Sequence, residues 1–158
     1  MRTKLTLLFL LLPTLFATPV LAEGRACPDL ATAVQVAVCP SDEELKYTYI
    51  GYCGDNARLY GRDGDTCETF ENYRQAKNIA LWESADGEFS GYLSCETSDQ
   101  AIRSAKPARM AVERKGSLTR LICSYTGDVS LVHRTKAVCK VEGDGDCSAA
   151  GNCQASCE

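Results

Sequence analysis

The sequence predicts an α+β fold that is rich in β-strands: a mainly antiparallel sheet with one or two short helices, stapled by disulfide bonds. Two observations support this prediction. Apolar and polar residues alternate repeatedly between about 79 and 142, and a period of two is typical of strands. The chain also contains ten cysteines behind an export signal, a combination typical of a disulfide framework.

The export signal is predicted at residues 1–22. A basic start precedes the apolar run 5–12, and residues 20–22 form a small-residue cleavage site, as in secretory signal peptides. An uncleaved membrane anchor is the alternative, but two prolines interrupt the stretch, and the apolar run is shorter than the ~20 residues that cross a bilayer. We therefore expect a secreted or periplasmic chain with no transmembrane span after cleavage, forming a single domain over 23–158.

All ten cysteines lie in the mature chain and are predicted to form disulfides: Cys27, Cys39, Cys53, Cys67, Cys95, Cys123, Cys139, Cys147, Cys153 and Cys157. Structural zinc sites need two closely spaced cysteine pairs, or a pair with histidines, and redox pairs need C-x-x-C. The tail at 146–158 has three cysteines and neither pattern, and the one histidine, His133, lies elsewhere. Because the tail has no large apolar side chain, disulfides are expected to hold it in place.

Two short helices are predicted in the N-terminal part. Ser41 and Glu44 form a capping-box pattern, which marks the start of a helix. The best helix candidate is 66–77, with Thr66 as the cap and Phe70, Tyr73 and Lys77 along one stripe. The turn-rich segment 61–67 precedes it.

The strands are predicted from alternation and turn signals. Asp86-Gly87 marks the turn of one hairpin, and Thr126-Gly127-Asp128 marks the turn of another. In chain order the predicted strands are a short strand within 27–40, a strand over 46–55, the two arms of a hairpin over 79–95, a strand over 110–116, the two arms of a hairpin over 119–133, and a strand over 136–142.

Disulfide pairing is predicted at two places. Cys53 is expected to pair with Cys67. Cys123 and Cys139 would lie two strands apart, about 9.5 Å, if 136–142 continued a regular meander, whereas a disulfide needs Cα atoms within ~7 Å. The meander and a Cys123–Cys139 bond therefore exclude each other. We favour the bond, with 134–138 folding back as a loop.

The segment 121–139 resembles the C-terminal half of the STY0301 family, a group of small exported bacterial proteins. The similarity rests on a C-x-Y core, an acidic hairpin turn, an apolar position after it and a closing cysteine, here Cys123, Tyr125, Asp128, Leu131 and Cys139. The tripeptide 26–28, Ala-Cys-Pro, is similar to the start of that family. The resemblance implies an exported β domain and no particular activity.

No catalytic, cofactor-binding or metal-binding residues are assigned. His133 is a candidate general base, but it stands at the end of a strand with no carboxylate near it in sequence, and the chain has no G-x-S-x-G elbow. The segments 62–68 and 142–147 alternate Asp with Gly, yet they lack the ligand set of a calcium loop. Such segments are ordinarily turns.

The charge is unevenly distributed. Residues 23–100 have a net charge of −9, residues 101–140 of +7, and the tail from 141 of −4. In one interpretation the basic segment pairs with the acidic half or is simply solvated, and we favour this one. In the other it binds an anionic partner: an acidic protein, a glycan or an anionic lipid surface. The candidate anion-binding residues are Arg103, Lys106, Arg109, Arg114, Lys115 and Arg120.

These features favour a non-enzymatic, exported binding or interaction protein, envelope-associated in one version of the hypothesis. Small disulfide-dense domains commonly present rigid surfaces to partners. A small secreted hydrolase built around His133 and a host-directed effector or inhibitor are the alternatives. Nucleic acid is disfavoured as a partner, because the mature chain is acidic overall.

Overall fold

The computed structural model describes residues 23–147 and 153–158. The signal peptide expected at 1–22 and the middle of the cysteine-stapled tail lie outside the described residues. The described strands are β1 (Glu23–Ala26), β2 (Val34–Gln35), β3 (Ile79–Glu83), β4 (Ser90–Ser94), β5 (Pro107–Lys115), β6 (Leu118–Tyr125), β7 (Ser130–Thr135), β8 (Cys139–Val141) and β9 (Gln154–Cys157). The described helices are α1 (Asp42–Cys53), α2 (Gly64–Cys67), α3 (Phe70–Lys77) and α4 (Asp99–Ser104), with a 3-10 turn at Leu30–Thr32 and a π-helical turn at Arg58–Arg62.

The strands form two antiparallel sheets, which confirms the β-rich α+β fold. The larger sheet has the order β2-β3-β4-β7-β6-β5. Both predicted hairpins belong to it: β3 pairs with β4 around Gly87, and β6 pairs with β7 around Gly127 and Asp128, with positive φ angles at all three turn residues. These angles suit glycine and aspartate, which explains why the turns are readable in the sequence.

The second sheet joins the first and last described segments of the chain in the order β1-β9-β8. Glu23 lies opposite Cys157, and Cys157 lies opposite Cys139 on its other side. The strand predicted at 136–142 therefore exists, but it leaves the larger sheet and pairs with the tail.

The main core lies between the larger sheet and the elements that cover one of its faces. Leu30, Ile102, Leu121 and Leu131 are at most 1% exposed and belong to one cluster. Ala155 of β9 is buried in the same cluster, so the small sheet, α4 and the 3-10 turn all pack on this face of the larger sheet.

Residues 41–77 form a separate helical lobe with its own small core of Leu45, Cys53, Cys67 and Tyr73. The capping box at Ser41 is present, and Glu44 completes it. The strand predicted at 46–55 is wrong, because α1 continues through it to Cys53. Leu45 and Cys53 are buried at helical spacing, and their contacts in the lobe outweigh the strand preference of Tyr, Thr and Ile.

Other local predictions were wrong in position. The cap of α3 is Thr69, which accepts a hydrogen bond from the Asn72 amide at 3.1 Å, rather than Thr66. The segment 61–67, expected to be a turn, carries the end of the π-helical turn and α2. The helix α4 was not predicted, although its cap, Ser98, is followed by an acidic first turn as in α1.

The described cysteines are all bonded, in five pairs: Cys27–Cys123, Cys39–Cys95, Cys53–Cys67, Cys139–Cys157 and Cys147–Cys153. The Cys53–Cys67 prediction is confirmed. The favoured Cys123–Cys139 bond is wrong, and so is its alternative of a meander continued by 136–142. The argument that the meander and the bond exclude each other assumed that 136–142 forms a third strand beside β7. In the structure β8 lies in the smaller sheet instead.

Candidate binding surface

The larger sheet has one face in the core and one outer face. In β6 every second residue from Thr119 to Tyr125 is buried, and the residues between them, from Arg120 to Ser124, are half-buried. Cross-strand partners share a face, so the register identifies the rest of the outer face.

A row of apolar side chains crosses the middle of this outer face. Val132 lies opposite Ile122, and Ile122 lies opposite Ala111 on its other side. On the adjoining strands Leu81 lies opposite Tyr92, whose side chain is 68% exposed. The solvent-facing side of an antiparallel sheet is usually polar, so these residues make an unusual surface.

A row of charged side chains runs next to the apolar row. Arg134 lies opposite Arg120, and Arg120 lies opposite Glu113. The Arg120 guanidinium donates a hydrogen bond to the Glu113 carboxylate at 3.0 Å. Lys115 follows two residues later on β5, opposite Leu118. Arg134 and Lys115 are exposed, so both cations are available to a partner.

Three of the six candidate anion-binding residues lie on the outer face: Arg109, Lys115 and Arg120. Arg109 borders a hollow of about 440 Å³ that Asp144 and Asp146 also line, and Arg120 is paired with Glu113. Acidic groups of the same chain therefore offset part of the basic charge, but these groups belong to the basic segment and the tail, whereas the internal-pairing interpretation expected them in the acidic half 23–100.

The other three candidates lie elsewhere. Arg103 donates to the carbonyl oxygen of Ala33 and stacks over Trp82, with 5.4 Å from its guanidinium carbon to the ring centroid. Arg114 lies on the opposite side of β5 and donates to the Gly116 carbonyl at 3.3 Å. Lys106 precedes β5. The six candidates were chosen because they are close in sequence. Strand pairing places only three of them on the outer face, and it places Arg134 there as well.

His133 lies on the core side of β7, opposite Leu121. Its Nδ1 is 2.9 Å from the carbonyl oxygen of Glu88, and its ring packs 5.4 Å from that of Phe89. Partial burial, followed by the nearby positive charge of Arg25, lowers the pKa of His133. His133 also lines a hollow of about 230 Å³ with Glu23 and Arg25, while the contacts of its ring are with a backbone carbonyl and an aromatic side chain.

The two Asp-Gly segments use their carboxylates within the fold. Asp63 accepts a hydrogen bond from the Tyr52 hydroxyl at 2.9 Å, and Asp144 accepts one from the Asp146 amide at 3.0 Å. Over 23–147 and 153–158, His, Cys, Asp and Glu side chains nowhere gather in a group of three or more that could hold a metal ion. Among the same residues, no helix is long and apolar enough to cross a membrane.

Comparisons of the chain with models of protein families, with curated proteins and with solved structures gave no match.

Proposed function

We propose that this chain is an exported interaction protein, and that the outer face of its larger sheet is the binding surface. The proposal is carried by the partly exposed apolar row Val132–Ile122–Ala111, with the cation Arg134 in the next row and Lys115 one row beyond it. Exposed apolar surface bordered by polar groups is typical of sites that bind other proteins. A rigid sheet also loses little conformational freedom on binding.

The disulfides support export. Five disulfides suit an oxidising compartment, either outside the cell or in the periplasm. The resemblance to the STY0301 family agrees with a protein of this kind.

The proposed partner is an acidic protein surface with exposed aliphatic side chains. Cations at Arg134 and Lys115 attract carboxylates, and Tyr92 with the apolar row accepts apolar groups beside them. Aromatic residues and arginine are enriched at protein interfaces. The contacts of His133 with Glu88 and Phe89 do not favour the hydrolase alternative.

The test compares retention on polyglutamate, heparin and anionic vesicles for the oxidised wild type, the double variant Lys115→Glu/Arg134→Glu and a matched control. The control Lys46→Glu/Arg62→Glu makes the same change in net charge on the helical lobe. We expect the wild type and the control to be retained most strongly on polyglutamate, and the Lys115→Glu/Arg134→Glu variant to be lost.

Salt and one apolar substitution complete the test. Retention should fall steeply as the Debye length shortens from ~10 Å at 0.1 M to ~3 Å at 1 M salt. Tyr92→Ala should weaken retention without changing net charge. Equal loss in both charge variants would mean that total charge, and not the outer face, decides binding. Strongest retention on heparin or vesicles would instead assign a glycan or a lipid surface.

A further inference from the structure

The helical lobe exposes large side chains on the side of α1 that faces away from its own core. Tyr47 is 80% exposed and Ile50 is 73% exposed, whereas Leu45 and Cys53 on the opposite side are buried. Side chains three and four residues apart share a helix face. Glu43, Tyr47, Ile50 and Gly51 therefore form one surface, the α1 stripe.

A groove of about 690 Å³ adjoins the α1 stripe. Tyr47, Ile50 and Gly51 line it together with Tyr52 and Arg58. The Arg58 guanidinium carbon lies 4.0 Å from the centroid of the Tyr52 ring, so a cation is held against an aromatic wall. The α1 stripe thus combines projecting side chains with a hollow beside them.

Gly51 has no role that the fold itself explains. A Cβ at this position would meet no atom within 4 Å, so neither close packing nor a tight turn inside the chain requires glycine. Glycine weakens the interior of a helix relative to alanine. Without a side chain at this position, the α1 backbone stays open to close approach by an external group.

Charge is also arranged along α1. Glu43 and Glu44 line a second hollow at the start of the helix, which shares Tyr47 with the main groove. Arg58 lies beyond the end of the helix, and its Nε is 3.7 Å from the nearer Asp55 oxygen. At this distance the ion pair is loose, so Arg58 remains able to bind a second carboxylate.

We infer that the α1 stripe is the contact surface between two copies of this chain, packed antiparallel about a two-fold axis. A two-fold contact requires one surface that complements itself. Tyr47 and Ile50 of one copy fill the groove over the partner's Gly51, and the reverse contact is identical. The antiparallel arrangement also brings Glu43 of one copy beside the partner's Arg58. This contact is separate from the outer face of the larger sheet.

The dimer is a weak one. A stable interface buries about 800 Å² on each partner, which is more than the face of a single 12-residue helix supplies. We therefore expect dissociation constants between ~10 μM and ~1 mM, the range of interactions weaker than a standard interface. Sedimentation equilibrium of the oxidised full chain over that range should show a monomer–dimer equilibrium.

Two substitutions separate the contact from the stability of the lobe. Gly51→Leu places a side chain at the groove, where its Cβ meets no atom of the chain within 4 Å, and leucine favours a helix more than glycine does. The helix content should persist or rise. The dissociation constant of the dimer should increase at least ~10-fold, because the two-fold axis places the substituted side chain in both contacts. Tyr47→Asp should have the same effect, and Tyr60→Asp is its control, because Tyr60 is equally exposed, at 82%, outside the groove lining.

Mixing charge variants tests the two-fold arrangement itself. Glu43→Arg and Arg58→Glu should each weaken self-association, because each places like charges together in both contacts across the axis. An equimolar mixture of the two variants should recover the wild-type dimer. In the mixed dimer one contact joins the two substituted side chains and the other joins the two native ones, so both contacts pair opposite charges. A chain that stays monomeric at ~1 mM overturns the inference. A dimer that is unaffected by Gly51→Leu, or a mixture without recovery, overturns it equally.

Discussion

Cys27 and Cys123 are joined by a disulfide that links positions 96 residues apart. Cys123 is fully buried in the main core, where it also lies opposite Leu131 across the β6–β7 hairpin. The bond holds the segment that follows β1 against the core face of the larger sheet. The amide of Cys27 in turn donates to the carbonyl of Cys153 in the tail at 3.0 Å, so both chain ends meet at this point.

Removal of this bond should destabilise the whole molecule. Because Cys39–Cys95 shortens the path between them, Cys27 and Cys123 close a loop of effectively about 40 residues. For this loop length, chain entropy predicts that Cys27→Ala/Cys123→Ala lowers the free energy of unfolding by roughly 4 kcal/mol. The 14-residue separation of Cys53 and Cys67 predicts a loss of about 3 kcal/mol.

The two disulfide variants should differ in which signal changes. Trp82, the one tryptophan in the chain, is buried in the main core, so its fluorescence reports the larger sheet. In Cys53→Ala/Cys67→Ala the helical circular dichroism should melt before the Trp82 fluorescence, because the lobe has a separate core. In Cys27→Ala/Cys123→Ala both signals should shift together. Coincident transitions in both variants would show that lobe and sheet unfold as one unit.

Tyr125→Phe should destabilise the domain modestly. The Tyr125 hydroxyl donates to the carbonyl oxygen of Pro28 at 2.8 Å, and loss of a buried hydrogen bond costs about 0.5–1.5 kcal/mol. Burial, with a smaller contribution from Asp29, raises the pKa of Tyr125. Because the folded pKa lies above the unfolded value of ~10, the wild type should lose stability as the pH rises beyond ~10.

Urea unfolding of the wild type and of Tyr125→Phe measures both the hydrogen bond and the pKa effect. It is done at about pH 8 and about pH 10.5, on either side of the unfolded pKa of ~10. The free-energy difference between the two proteins should narrow at the higher pH, since phenylalanine does not ionise. A constant difference would indicate that the Tyr125 pKa is the same in both states.

His133 should make the protein less stable in mild acid. Burial and Arg25 lower the pKa of His133 in the folded state, so the unfolded chain binds a proton more readily just below its value of ~6.5. Stability should therefore fall as the pH drops from ~6.5 towards the folded pKa. His133→Gln should show a smaller decrease in the urea midpoint between about pH 7 and about pH 5. A slope as steep as that of the wild type would exclude His133 as its source.

Gly91→Ala should be strongly destabilising, in contrast to Gly51→Ala. A Cβ at position 91 would collide with the carbonyl oxygen of Ser130 and approach Leu131 Cδ2 at 3.0 Å. Backbone cannot yield as a side chain can, so a cost of about 1–3 kcal/mol is expected from overpacking. Gly51→Ala meets no atom within 4 Å and should stabilise the monomer by about 0.5–1 kcal/mol. Thermal melts at low concentration would compare the two variants.

The β-sheet was readable in the sequence where pairing is local. The turns at Gly87 and Gly127–Asp128 use residues that tolerate positive φ, and alternation on either side sets which residues face the core. The Cys53–Cys67 bond was predictable for the same reason, since its partners are 14 residues apart. The helix start at Ser41 was equally local, because a capping box involves four consecutive residues.

The candidate binding surface was only partly readable. The net charge of 101–140 indicated a basic region, but charge along a sequence does not say which face a side chain occupies. Strand register brings Arg134 next to Arg120 and sends Arg114 to the other side of β5. Arg103 was removed from the set by its contacts with Ala33 and Trp82, which are remote in sequence.

By itself, the sequence determined the fold class, the hairpins of the larger sheet, the cap of α1 and the disulfide-rich character, because each depends on neighbouring residues or on composition. Tertiary structure decided the secondary structure of 46–55, because burial of Leu45 and Cys53 in the lobe favours a helix over the local strand preference. It also decided the partners of Cys123 and Cys139 and the strand neighbours of β8. These depend on contacts between distant segments, whose free energy comes from the packing of the core and is not encoded by any local pattern.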